Sequence, residues 1–228
     1  RAEKVLLVTR TAPRDEANRA GGITLFLVDL DSDGVEIQPI PKISRNAVQS
    51  CELFLDEVVV PADRVVGREG EGFSHLLTGL NGERLLLSAE CLGLGRWCVE
   101  QSARYASERV VFGRPIGANQ SIQHPITEGY LKLLAASHVL EAGLEAFEEG
   151  EDSERIGALT NSAKFLASEA CYFAADQTFQ TFGGYSFARE YHVGRHWAQC
   201  RLQRVAPVAN QLVLNYLAER VLGLPRSY

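Results

Sequence analysis

The sequence predicts an α+β fold, with a β module over residues 1–69 and an up-down helical bundle over residues 70–228. Two observations carry this. The first third alternates β-branched and aromatic runs with turn clusters, whereas the stretch after Gly67, Gly70 and Gly72 repeats its apolar residues at helical spacing. The helical stretches are also long and their links short, which makes successive helices antiparallel neighbours.

In the β module, Val5–Val8 reads as a buried strand and Thr11–Gly22 as a loop. Ile23–Asp29 is a second strand of β-branched and aromatic residues. Asp31-Ser-Asp-Gly34 is a turn, because Asp bonds its own backbone and Gly allows positive φ. Val35–Ile40 alternates as a half-exposed strand ending at Pro41, and Cys51–Val60 is a further strand stopped by Pro61. Strands at this spacing make a sheet or an open barrel.

In the bundle, Phe73–Leu80 forms a short helix and a long one runs from Asn81 or Gly82 to about Glu108 without proline. Leu85, Ala89, Leu92, Arg96, Val99 and Ala103 form its predicted stripe. Arg104 and Arg109 fall at its end, where the dipole favours positive charge. Residues 110–120 are a loop. A second helix starts at Ser121 or Pro125 and ends at Glu149, with leucines at 131, 134, 140 and 144. A third, rich in Ala, spans Glu154–Phe182 and is ended by Gly183-Gly184. A fourth covers Arg189–Arg204 and a fifth Pro207–Leu222, with Pro207 in its first turn.

Composition excludes several functions. A net charge of -6 argues against nucleic acid, which asks for a basic patch. No run reaches the roughly 18 apolar residues of a membrane span. The five cysteines are odd in number and contain no CxxC, so they read as reduced core thiols in a cytosol-like compartment. His192 and His196 are the one helical i, i+4 histidine pair, and no carboxylate stands at ligand spacing, so they read as a surface pair and no metal is expected. The chain has no Met and begins at Arg1, which trimming, a missing front portion or engineering would each explain.

Three stretches could carry chemistry. Glu83-Arg84 sets a carboxylate beside a guanidinium, although a Glu in a first helical turn is already favoured by the dipole. Arg109 could fork onto a phosphate; the plain alternative is a basic helix end with a buried Phe112. Gln177–Tyr185 places two amides beside a Gly pair that could let a ligand approach, although a helix cap also explains the glycines.

Five landmarks give the chain a wider likeness: Leu55–Pro61, Gly79–Leu85, Tyr105–Pro115, Gln180–Gly184 and Arg201–Pro207. In this order and spacing the chain resembles the acyl-CoA dehydrogenase family, over the second half of its middle domain and all of its C-terminal domain. The resemblance implies a partial antiparallel β domain followed by an up-down four-helix bundle with a short extra C-terminal helix. It implies FAD-dependent α,β-dehydrogenation of an acyl-CoA thioester, in which a base takes the α-proton and the β-hydrogen leaves as hydride to the flavin.

Most of the family keeps its base before the last helix, where this chain has Pro207, which cannot take a proton. A minority of isovaleryl and long-chain type keeps it in a Glu-Arg-Leu triplet, and Glu83-Arg84-Leu85 matches that. The resemblance therefore implies Glu83 as base and Arg84 as a positioning group. It assigns Arg109, Phe112, Gln120, Gln180, Gly184 and Gln211 to FAD, the first two and the Gln180–Gly184 pair across a subunit interface. Ser186 and Ala209 depart from the family's pattern of FAD contacts. Further implications are an electron-transfer flavoprotein or similar acceptor, a homodimer or homotetramer, a place in the cytoplasm (or mitochondrial matrix in a eukaryote), and weak FAD retention by these 228 residues alone. Two other readings stay open: a non-catalytic partner subunit, and a same-fold flavin oxidase or monooxygenase.

Overall fold

The computed structural model describes residues 2–226, with the side chain of Thr78 left aside; Arg1, Ser227 and Tyr228, the last two ending the predicted bundle stretch, lie outside the described residues. The chain forms two compact units, Arg1–Leu80 and Asn81–Tyr228.

In the first unit, β1 (Lys4–Arg10), β2 (Ile23–Asp29) and β5 (Val65–Val66) form an antiparallel sheet in the order β1-β2-β5. β3 (Val35–Pro39) and β4 (Cys51–Leu55) form a separate antiparallel ribbon. β2 is central and buries Thr24, Leu25 and Val28. The expected buried strand at Val5–Val8 is instead part of an edge strand whose residues alternate between exposed and half-buried, because only one of its faces is covered. The strand expected over Cys51–Val60 stops at Leu55, since Glu57 takes a positive φ of 49° that ends extended pairing. Gly34 closes the β3–β4 ribbon at φ 86°, where any Cβ would overlap the Asp56 carbonyl.

Helix α1 runs unbroken over Gly72–Glu108, so the separate short helix expected at Phe73–Leu80 is its first part. Asn81 does not break it, because its side chain is bonded within the helix, accepting from Arg84 Nη1 at 2.8 Å. α2 (Gln120–Glu148), α3 (Ser153–Phe182), α4 (Val193–Leu202) and α5 (Asn210–Arg220) follow. Asp152 caps α3, accepting from the amides of Glu154 and Arg155. α2 begins at Gln120, ahead of either expected start, and carries Pro125 inside it.

The contacts fix the directions. Asn81 meets Thr160 and Ser102 meets Thr178, so α1 and α3 run parallel. Gly129 packs near Val99 and Ala174 while Gly143 packs near Leu85 and Leu159, so α2 runs against both. Cys200 meets Cys171 and Asn210 meets Ser168, so α4 and α5 follow one another down α3 in the opposite sense.

The buried stripe of α1 is not the expected one. Ala89, Arg96 and Ala103 are exposed, whereas Ser88, Cys91, Cys98, Ser102 and Ala106 are buried with Leu85 and Leu92. On α2, Leu131, Leu134 and Leu144 are exposed, and Gly129, Leu133, Ala136, Leu140, Gly143 and Ala146 face inward. The helices approach through small residues: a Cβ on Gly95 would overlap Leu133. The Ala-rich α3 buries residues on several faces, as a helix surrounded by others must.

The expected fourth helix, Arg189–Arg204, is a 3-10 turn at Arg189–Tyr191 followed by α4. The expected fifth does not start at Pro207. Residues 203–209 turn first, held by Asn210 N–H to Arg204 O (3.0 Å) and by Lys164 Nζ to Val208 O (2.7 Å).

Candidate functional site

Glu83 and Arg84 sit together on α1 with opposite fates. Glu83 is exposed, while Arg84 is 7% exposed. Arg84 Nη1 donates to Asn81 Oδ1, and its buried Nε has no protein partner. Burial lowers its pKa; the Tyr216 and Glu83 charges act the other way. Beneath it lies a polar floor that sequence reasoning missed. Lys164 is fully buried and reaches Val208 O and Asn210. Burial pushes its pKa down to about 8, and Arg84 and Arg204 add to the lowering while Cys91 and Glu169 oppose it. Glu169 accepts from Arg204 Nε and Asn210 Nδ2, each at 2.7 Å. Within residues 206–209, Ala-Pro-Val-Ala supplies no proton acceptor on a side chain. Glu83 presents an exposed carboxylate on this stretch of α1, next to the buried Arg84.

Arg109 and Gly184 meet at the other end of the bundle. They line a cleft of about 480 Å³ with Tyr105, Phe182, Gly183 and Tyr185. Tyr105 stacks on Phe182 at 4.1 Å, and Arg109 lies 6.0 Å from the Tyr185 ring centroid. Around Gly183 and Gly184 an added Cβ would meet nothing within 4 Å, so the backbone there is open to a ligand. Gln180 is exposed in the last turn of α3, one turn before this pair. Ser186 is buried and donates to Gly183 O at 2.6 Å, so it ties down the same turn. A guanidinium beside flat rings and bare backbone suits a ligand with an anionic group and an aromatic ring.

Phe112 is not buried, as the plain reading had it. It is fully exposed at the tip of a hairpin between β6 (Val110–Val111) and β7 (Arg114–Pro115). Phe112 and Gly113 take φ of 51° and 78°, the positive pair that tight hairpins need, and an aromatic there is under strain. Gln120 is exposed at the first position of α2, and Gln211 is exposed at the second position of α5.

The predicted site residues thus fall into two groups. Glu83 and Arg84 share one end with α5 and Gln211. Arg109, Phe112, Gln120, Gln180 and Gly184 share the other. From Glu83 to the end of α1 at Glu108 the helix rises roughly 38 Å. The missed aromatics Tyr105 and Tyr185 stood inside quoted motifs, but nothing local marked them. Lys164 was hidden among alanines, where a lysine reads as solvated.

The histidine pair is not wholly a surface feature. His192 is exposed, but His196 is half-buried against Trp97 at 4.3 Å, and burial, then Arg195, lowers its pKa. Among the described residues no group of His, Cys, Asp and Glu suits a metal ion, and no helix is long and apolar enough to cross a membrane.

Comparison with known proteins agrees with this architecture. Residues 70–222 match the family described as acyl-CoA dehydrogenase, C-terminal domain. The chain is 35% identical over 229 residues to acyl-CoA dehydrogenase fadE12 of Mycobacterium bovis, covering 100% of this chain and 58% of that protein. A probable acyl-CoA dehydrogenase from Mycobacterium abscessus superposes with a TM-score of 0.89 at 28% identity, over 96% of this chain and 57% of that one. PigA with FAD and proline superposes with a TM-score of 0.91 at 25% identity, over 98% and 57%. The chain therefore spans little more than half the length of the relatives it matches.

Proposed function

Because the chain belongs to the acyl-CoA dehydrogenase family through its C-terminal domain, we propose that it serves as the C-terminal portion of an FAD-dependent acyl-CoA dehydrogenase with Glu83 as the α-proton base. The observation that carries this is the pairing of an exposed Glu83 with a 206–209 segment that offers no side-chain base. In this reading the Glu83 carboxylate takes the α-proton of the thioester. Arg84, fixed by Asn81 and by its burial, holds the first turns of this stretch in place. FAD, when bound, supplies the acceptor for the β-hydrogen. Arg109 and the open Gly183-Gly184 backbone bind its anionic and ring portions, with Phe112, Gln120, Gln180 and Gln211 as further contacts. We place the domain boundary between residues 69 and 70, where the family match begins, ahead of the Leu80/Asn81 division between the two compact units.

Two groups at opposite ends of one bundle serve a single cofactor only if two copies of the chain combine. The proposal therefore includes a homodimer or homotetramer, an acyl-CoA substrate, an electron-transfer flavoprotein or similar acceptor, and the cytoplasm or mitochondrial matrix.

The test is Glu83→Gln in a protein that also carries the front portion found in the longer relatives. Turnover of acyl-CoA should be lost with flavin content unchanged. Unchanged turnover would sink Glu83 as the base, and no turnover in parent and variant alike would leave the non-catalytic partner subunit. A second reading, a same-fold enzyme acting on something other than a thioester, is favoured by the likeness to PigA with FAD and proline. Hydrogen peroxide formed under air without an added acceptor would select the oxidase or monooxygenase form.

A further inference from the structure

Four of the five cysteines converge in the core although they come from three helices. Cys91 and Cys98 stand on α1, Cys171 on α3 and Cys200 on α4, and none is more than 1% exposed. Cys171 Sγ lies 3.2 Å from Cys200 Sγ. Four separate thiols filling a core would need no sulfur–sulfur contact, since free Cys packs as a small hydrophobe against any neighbour. Here Cys171 and Cys200 stand sulfur to sulfur across two helices. Metal binding does not explain it, because the described residues hold no suitable ligand group.

We propose that Cys171 and Cys200 are a peroxide-oxidisable dithiol whose disulfide ties α3 to α4. The sulfurs need to close by about 1.2 Å to reach bonding distance. α4 has ten residues, with a 3-10 turn before it and the irregular 203–209 segment after it. Local opening of so short a segment uncovers Cys200 without unfolding α3. Opening brings Cys200, and not Cys171 on the longer α3, to solvent and peroxide, so Cys200 is the member that reacts as the thiolate. Cys200 thiolate attacks one peroxide oxygen, breaking the O–O bond, giving a sulfenic acid and releasing hydroxide. The Cys171 thiol then attacks that sulfur and forms the S–S bond. The sulfenic OH leaves as water with the Cys171 proton, and the hydroxide of the first step takes up the proton that Cys200 had lost to solvent. Two electrons pass from the two thiols to one peroxide. The bond closes a loop that carries Gln180, Gly183 and Gly184.

Peptide mapping tests this directly. The reduced full chain is exposed to hydrogen peroxide, remaining thiols are alkylated in denaturant, and a tryptic digest is analysed without reduction. Each core cysteine falls on its own peptide: 85–96, 97–104, 165–189 and 196–201. A cross-link between 165–189 and 196–201, two hydrogens lighter than the sum of the free peptides, is expected. It should persist in Cys51→Ser and vanish in Cys200→Ser. If Cys200→Ser fails to fold, the wild-type map still decides. Alkylated Cys171 and Cys200 beside an oxidised Cys51 would overturn the proposal, and so would a cross-link joining 196–201 to 97–104.

Discussion

Lys164→Met isolates the cost of a buried ammonium. Lys164 is fully buried, and burial lowers its pKa from 10.5 to about 8. Between these values the unfolded chain holds a proton that the native protein has released. Stability therefore rises with pH from about 8 to 10.5, and the gain is lost again as pH falls through the folded value. A shift of this size corresponds to about 3 kcal/mol, to order of magnitude. The substitution also removes donors to Val208 O and Asn210 Oδ1, at roughly 1–3 kcal/mol for a buried acceptor left unpaired. At neutral pH the two effects oppose one another and the variant should differ little from the parent. Above the folded pKa the relief disappears, because Lys164 is then neutral and still donates. Glu169, Arg84, Arg204 and Cys91 surround it in both forms. Urea unfolding of both proteins across this pH range gives the difference in stability. It should grow in favour of the parent by about 3 kcal/mol as pH rises. A difference that stays flat with pH would refute the reasoning.

Phe112→Asn should raise the thermal midpoint, since relief of a left-handed aromatic is worth roughly 1–2 kcal/mol, and the exposed ring buries nothing in the chain; a lower midpoint would count against a strained tip. Gly157→Ala should destabilise the bundle by about 1–3 kcal/mol, because its Cβ would overlap the Tyr216 hydroxyl. Tyr216→Phe in the same chain should recover part of that loss in thermal melts, and no recovery would show that the overlap is not the cause. The 228-residue chain purified alone should hold little flavin, read from its visible absorption, and near-full occupancy would contradict this.

The helical bundle was legible because length and apolar period survive any arrangement of neighbours. The turn glycines at 34 and 183 and the Asp152 cap needed only local chemistry. Which face of each helix turned inward was not legible. Hydropathy pointed to Leu131, Leu134 and Leu144, yet Gly129, Gly143 and Ala146 are buried. Close helix approach is set by the partner's side chains, as Gly95 against Leu133 shows, and no single helix contains that information.

The site divides in the same way. The sequence by itself determined that Glu83 stands beside Arg84 and that proline occupies position 207. Only the tertiary structure decided that Arg84 is buried over Lys164 while Glu83 is not, and that Arg109 joins Gly184 at the far end of the bundle. It also decided that thiols from two helices, Cys171 on α3 and Cys200 on α4, touch. Burial and desolvation belong to the whole packing, so charges and thiols that look ordinary along the chain acquire their chemistry only when the helices close around them.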